Sequence, residues 1–265
     1  PGWHIECSAM SMEYLGPTID IHCGGQDLIF PHHENEVAQS EGATGHPFVR
    51  YWMHNGFLNI DSQKMSKSLG NFFTVRDILK EYDAEDVRMF MLSAHYRSPL
   101  NFSREMMEQA RASLTRLYTA RDHLAFLLEK TQDKPLMPED EAFIQGAKDS
   151  LARFDVALAD DLNTAEAMAA LFELVYEVNT RLNETSARAA VQAAWDTLHE
   201  ATQLLGILRK KQEGLPEAVQ QLADARAQAR KDKDWKQSDI LRQQLTDLGY
   251  VVEDTPQGQK VRKAL

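Results

Sequence analysis

Ile19-Asp20-Ile21-His22-Cys23-Gly24-Gly25-Gln26-Asp27-Leu28-Ile29-Phe30-Pro31-His32-His33-Glu34-Asn35-Glu36-Val37 writes a strand, a glycine turn and a helix start in one line. Ile19–Gly25 has the short apolar alternation of a strand, and two glycines at its end let a backbone approach a ligand closely. Pro31 suits the first turn of a helix, and the residues after it are helix-compatible. Tyr51-Trp52-Met53-His54-Asn55-Gly56-Phe57-Leu58 then reads as a second strand. Strand, helix, strand is the grammar of a βαβ unit in a parallel sheet. Ligands bind in the loops at the carboxyl ends of such strands.

Outward from that unit, Asp61-Ser62-Gln63-Lys64-Met65-Ser66-Lys67-Ser68-Leu69-Gly70-Asn71 has no pattern that buries a core. Its two lysines and backbone N–H groups suit a polyphosphate. Taken alone, a Lys-x-x-Lys pair is more often a solvated turn. From Thr74 onward the pattern is helical. Thr74 with Asp77 predicts a capping box for a helix to Tyr82, and Asp83 or Ala84 opens another to Ser93. Pro99–Ser103 interrupts, and Ser103 caps a long helix to about Lys130 with Leu114, Leu117, Tyr118, Leu124, Leu127 and Leu128 on one stripe. Helices over 139–154, 163–182 and 187–208 complete an antiparallel bundle. After the linker Gln212–Pro216, helices over 216–231 and 234–248 lead to a strand, a turn at Thr255–Gly258 and a strand.

A chain of 265 residues, 43% hydrophobic, has length for a real core. It holds no apolar run of about 18 residues, so no membrane span is expected. It shows no signal-peptide pattern. Its start, Pro-Gly-Trp-His, suggests a piece of a longer protein. The two cysteines, Cys7 and Cys23, fit a reducing, cytoplasmic protein with thiols free or metal-bound. The net charge of −11 excludes a uniformly basic nucleic-acid binder. Residues 226–265 nevertheless carry nine basic and six acidic side chains, a local footprint of the kind nucleic acids need.

Seven of the nine histidines precede residue 96. His32 and Glu36 fall on one helix face at i and i+4. With Cys7 they offer thiolate, imidazole and carboxylate, credible zinc ligands. A surface His–Glu pair beside a buried cysteine fits the same spacing. His33 points elsewhere on the helix and is a weaker candidate.

Residues 22–36, Trp3-His4-Ile5-Glu6-Cys7 and Lys64-Met65-Ser66-Lys67-Ser68 together resemble the cysteinyl-tRNA synthetase family, a branch of the class I aminoacyl-tRNA synthetases. The lysine loop marks class I broadly; the 22–36 stretch with Cys7 is specific to the branch. The resemblance runs from residue 1 to 265 and covers the C-terminal part of the family's chain. It implies an α/β plus all-α architecture. Residues 1–72 would be the C-terminal half of a Rossmann-like catalytic domain and 73–102 connecting stem-contact helices. Residues 103–212 would form a helical bundle and 213–265 a small α+β anticodon-binding module.

The same resemblance implies ATP-dependent ligation of L-cysteine to tRNA-Cys through a cysteinyl-adenylate. It implies Zn²⁺ on Cys7, His32 and Glu36, with the family's fourth ligand and its His-x-Gly-His signature outside this sequence. Mg²⁺ would accompany ATP. Lys64 and Lys67 would stabilise charge on the triphosphate, Lys67 contacting ATP with Ser66 and Ser68 beside it. Gly24, Gly25 and Asp27 would lie on the adenosine side. Trp3 and His4 would line the cysteine pocket, although Trp3 as a core residue is the plainer alternative. Arg230, Trp235, Asp239 and Asp254 would meet the anticodon, where stacking and base-edge contacts suit unstacked bases. Without the resemblance, Trp235 on an amphipathic helix would be a core residue. A monomer is expected. Two other readings stand beside this one: a tRNA- or zinc-binding synthetase remnant, and a cysteine ligase of mycothiol synthesis. The latter has no use for residues 213–265.

Overall fold

A computed structural model describes residues 2–60, 63–64, 74–210, 216–255 and 258–263. The chain divides into two compact units, Pro1–Arg209 and Lys210–Leu265.

The first unit opens with α1 (His4–Leu15) and β1 (Ile19–Gly25). The expected helix start at Pro31 is not a clean one. The chain makes a 3-10 turn at Gln26–Leu28, swings into extended backbone at Phe30, and enters regular helix only at α2 (Glu34–Thr44). The residue before a proline is driven to extended backbone, and Pro31 itself has no N–H to give. The strand β2 (Val49–Asn55) lies parallel to β1, with His22 opposite Trp52 and Gly24 opposite His54. The βαβ expectation therefore holds.

The second expected strand does not run through to Leu58. It breaks at Gly56, whose N–H donates to the Tyr96 carbonyl at 2.8 Å. A Cβ at Gly56 would stand 2.5 Å from the Ser98 carbonyl group, so backbone packs where a side chain would be. β3 (Leu58–Ile60) joins a second sheet, antiparallel to β4 (Gln63–Lys64) and parallel to β5 (Leu100–Phe102). Leu100–Phe102 is thus a strand rather than a mere interruption. The few residues between Pro99 and Ser103 are too short a run to show alternation.

The helices follow their caps. Thr74 and Asp77 form the expected box at the head of α3 (Val75–Ile78), a single turn shorter than the sequence suggested. In α4 (Ala84–Leu92) the Asp86 carboxylate accepts from the Asp83 N–H at 3.1 Å. Ser103 caps α5 (Arg104–Lys130) by accepting from Met106 N. Leu114, Leu117, Leu124 and Leu127 are buried on its inner stripe, with Tyr118 and Leu128 packed at the margin. The bundle is completed by α6 (Pro138–Ala159), α7 (Thr164–Arg181) and α8 (Arg188–Leu205). Asp140 links the starts of α6 and α8 by accepting from the N–H groups of Met137 and Ala187. One core runs through α4 to α8. Each fully buried leucine there is worth roughly 1.5–3 kcal/mol of transfer free energy.

The second unit pairs α9 (Glu217–Lys231) with α10 (Trp235–Asp247) and closes with a hairpin, β6 (Tyr250–Thr255) and β7 (Gly258–Lys263). Its apolar core is small: Val219, Leu245 and Val252 are buried, with Leu222, Tyr250 and Val261 against them. Among the described residues no helix is long and apolar enough to cross a membrane.

Candidate active site and anticodon-binding face

Glu36 is the pivot of the histidine-rich region. It sits in the first turn of α2 with its side chain 0% exposed. One carboxylate oxygen, Oε2, lies 2.6 Å from His22 Nε2, reached from β1. The other, Oε1, lies 2.7 Å from His32 Nε2 but makes no hydrogen bond. The opposite nitrogen of His32, Nδ1, is 2.8 Å from His4 Nδ1 on α1. A buried carboxylate oxygen without a hydrogen bond, beside an imidazole nitrogen, is a donor pair that a cation would satisfy. Metal-bound histidines characteristically donate their far N–H to a second partner.

Cys7 brings a third donor from α1. Ligand atoms of Cys7, His32 and Glu36 lie within 4.8 Å of one another. Burial pushes the Cys7 thiol up, and the Glu36 carboxylate adds to the shift. A thiol and an acid crowded without a cation disfavour the thiolate; a metal ion reverses that balance. The donor set therefore fits zinc.

The other group the structure gathers is His22, His33 and Glu36, also within 4.8 Å. His33 does not point away from the site, as helix geometry suggested. It is buried, with Nδ1 2.8 Å from His54 Nε2 on β2. Burial first, then His22, push its pKa down to about 4, so it stays neutral. The His54 imidazole is lowered by the same two causes. Sequence reasoning missed His22 and His54 as partners. The crowding of histidine before residue 96 was the available signal, but strand alternation could not say which of them face α2.

Trp3 and His4 start α1. Trp3 is 66% exposed, with its ring 5.6 Å from that of His4 and 6.0 Å from that of His32, so the indole borders the cluster rather than a core. Gly24 and Gly25 end β1. A Cβ at Gly24 would meet the His33 ring at 2.6 Å, so this glycine admits a protein side chain; at Gly25 it would meet Asp27 Oδ1 at 2.5 Å. Lys64 closes β4 opposite Asn59. Ser66, Lys67 and Ser68 lie outside the described residues.

In the second unit, the Arg230 guanidinium reaches Asp254 Oδ2 at 3.1 Å and lies 5.6 Å from the Trp235 ring centre. Trp235 is 57% exposed, not a core residue, and Asp239 is exposed one turn further along α10. The residue missed here is Arg226, buried at 1% exposure. It forks onto both Asp254 oxygens at 2.9 and 3.0 Å and onto Gln259 Oε1 at 2.6 Å. Its signal was positional: Val219, Ala223 and Arg226 lie on one apolar stripe of α9.

The chain matches, in order, the class I (C) tRNA synthetase catalytic domain over residues 1–112, the DALR domain over 153–209 and the cysteinyl-tRNA ligase anticodon-binding domain over 212–262. A solved LeuRS from Agrobacterium radiobacter K84, in a ternary complex with tRNA and LeuAMS, shares the fold. Its TM-score is 0.55 at 17% identity, over 72% of this chain and 25% of that one. Fold and domain series define the C-terminal portion of a class I aminoacyl-tRNA synthetase.

Cysteine–tRNA ligases from Caldicellulosiruptor saccharolyticus and Clostridioides difficile strain 630 are 53% and 50% identical to it, each over 99% of this chain. That of Symbiobacterium thermophilum is 49% identical over all of it. Over its length the chain matches the C-terminal part of cysteine–tRNA ligases. It spans 56–57% of the length of these relatives.

Proposed function

We propose that this chain is part of an enzyme that joins L-cysteine to tRNA-Cys through a cysteinyl-adenylate, using ATP with Mg²⁺, in the cytoplasm. The observation that carries the reading is the convergence of Cys7, His32 and Glu36 on one point, in a chain about half identical to cysteine–tRNA ligases. These three residues would hold Zn²⁺. The chemistry zinc supplies at such donors is a strong preference for a thiolate over a hydroxyl, which separates cysteine from serine where packing cannot. His4 and His22 keep His32 and Glu36 in orientation, each from a different element. Trp3 borders the same cluster and would cover one side of the bound amino acid.

No side chain has to act as nucleophile when the cysteine carboxylate attacks the α-phosphorus. Positioning and charge stabilisation do most of the work. Gly24, Gly25 and Asp27, at the carboxyl end of β1, would approach the adenosine. Lys64 and Lys67, with Ser66 and Ser68, would neutralise the triphosphate. In the full-length protein Lys67→Ala should slow cysteine-dependent ATP–pyrophosphate exchange by about 10²–10³-fold, the scale for removing one preorganised charge-stabilising group. Binding of tRNA-Cys should stay within about 2-fold; unaltered exchange would refute the role.

Arg230, Trp235, Asp239 and Asp254 would present a stacking and base-reading surface to the anticodon. The exposure of Trp235 supports this. Trp235→Ala should raise KM for tRNA-Cys by roughly 5- to 100-fold, the worth of one stacked base. Adenylate formation should not change. Aminoacylation kinetics identical to wild type would remove Trp235 from the interface. The anticodon-domain match over residues 212–262 gives a mycothiol-pathway ligase no support.

A further inference from the structure

The α6–α7 turn carries an acid whose partners all belong to another segment. Asp161 Oδ1 accepts from the Tyr96 hydroxyl at 2.7 Å, and Oδ2 pairs with Arg97 Nε at 2.6 Å and lies 3.8 Å from His95 Nε2. Arg97 Nε also donates to Tyr96 Oη, and the His95 and Tyr96 rings stack with centres 4.9 Å apart. Thr164, just beyond the turn, donates to the Ala94 carbonyl. The turn is conformationally costly: Asp161 and Leu162 both have left-handed φ, 55 and 56, without a glycine. Aspartate tolerates that region; leucine does so only where its surroundings insist.

The 94–98 loop so held is itself applied to the ends of both parallel strands. The Arg97 carbonyl accepts from Gln26 Nε2 at 3.0 Å, immediately after Gly24 and Gly25. Its backbone packs on Gly56 just beyond β2, where a Cβ would stand 2.8 Å from the Arg97 oxygen. A continuous line of polar contacts therefore runs from the DALR-matched bundle, through Tyr96 and Arg97, to the loop proposed to meet adenosine.

We infer that Asp161 is a positioning residue: through Tyr96 and Arg97 it fixes the Arg97 carbonyl that holds Gln26, and with it the Gly24–Asp27 loop. The inference rests on the nucleotide role proposed for that loop, and names a residue of the helical bundle as one of its supports. Asp161→Asn keeps the left-handed tolerance and one acceptor oxygen but gives up the ion pair. Gln26→Ala breaks the other end of the line.

The test has two readouts. In this chain, amide hydrogen exchange over residues 22–28 should quicken by about 5-fold in Asp161→Asn, the worth of one net hydrogen bond. Exchange in 166–181 should not change. In the full-length ligase, KM for ATP in pyrophosphate exchange should rise about 5-fold with kcat within about 2-fold, on the same one-bond scale. The double variant should then be no worse than the poorer single one, because both act on one line. Unaltered exchange over 22–28, quickening spread through the helices, or KM effects that multiply would each overturn the inference. Absence of cysteine-dependent pyrophosphate exchange in the wild type would overturn the functional reading instead, and the exchange rates over 22–28 would still decide the role of Asp161.

Discussion

Glu36→Gln is expected to abolish tight zinc binding while leaving the fold in place. The substitution keeps the shape of the side chain and its contacts with His22 and His32, so α2 has no reason to move. What it removes is the negative charge that would gather Cys7 and His32 around a cation. Loss of outer-shell partners alone costs about 10–100-fold in metal affinity, so losing a direct carboxylate donor should cost about 100-fold or more. Zinc titration by calorimetry, with circular dichroism as the control for folding, makes the comparison. A Glu36→Gln variant that binds zinc as wild type does would move the metal away from this cluster.

Asp254→Ala should unfold the second unit. The obvious expectation for a base-reading aspartate is weaker tRNA recognition and nothing else. The geometry says more, because both oxygens of Asp254 are held by Arg226, which is buried at 1% exposure. Removing the acid strands that guanidinium with Gln259 as its remaining side-chain partner among the described residues, at a cost of about 3–5 kcal/mol. A small unit whose buried apolar side chains are, among the described residues, Val219, Ala223, Ala229, Leu241, Leu245 and Val252 has a modest reserve against that.

Arg226→Met combined with Asp254→Leu should recover much of the stability, because no guanidinium is then left buried without its acid. Thermal unfolding of the three proteins separates the cases; an Asp254→Ala variant as stable as wild type would show the pair to be dispensable. The pair also sets an acid limit. Hydrogen bonds from Arg226 hold the Asp254 carboxyl below the usual carboxylate range. Its contribution is therefore fully present above the unfolded value of about 3.9 and is lost as pH falls toward the lower folded one. The doubly substituted protein should lack that part of the acid transition.

Much of the fold was legible because its signals are local. Thr74, Asp83 and Ser103 mark helix starts by chemistry that acts within about three residues. The leucine stripe of α5 and the pairing of β1 with β2 follow from periodicity alone. Where long-range contacts decide, the sequence was mute. The strand β5 exists because Leu58 and Leu100 come together from distant parts of the chain, and the break at Gly56 exists because Ser98 lies against it. The site divides in the same way. His32 and Glu36 announced themselves through i,i+4 spacing, and Cys7 through its donor type, with the resemblance adding the ligand set. Their supports, His22 from β1 and the His33–His54 pair, depend on how separate elements meet. In the second unit Trp235 and Arg230 came only through the resemblance, since residue type alone would have put Trp235 in the core, and Arg226 was hidden among apolar neighbours.

The neighbouring residues Cys23 and Gly24 have opposite relations to their surroundings, and this gives the chain a chemical asymmetry. Position 24 is closed by the His33 ring, while the Cys23 side chain is exposed. The second thiol, Cys7, is partly buried and held protonated by its surroundings. Thiol-directed reagents meet one open sulfur and one guarded sulfur, so a fluorophore or spin label can be placed at Cys23 without first removing a ligand of the proposed zinc site. The label would sit near the end of β1, one residue before the loop that Asp161 is inferred to hold.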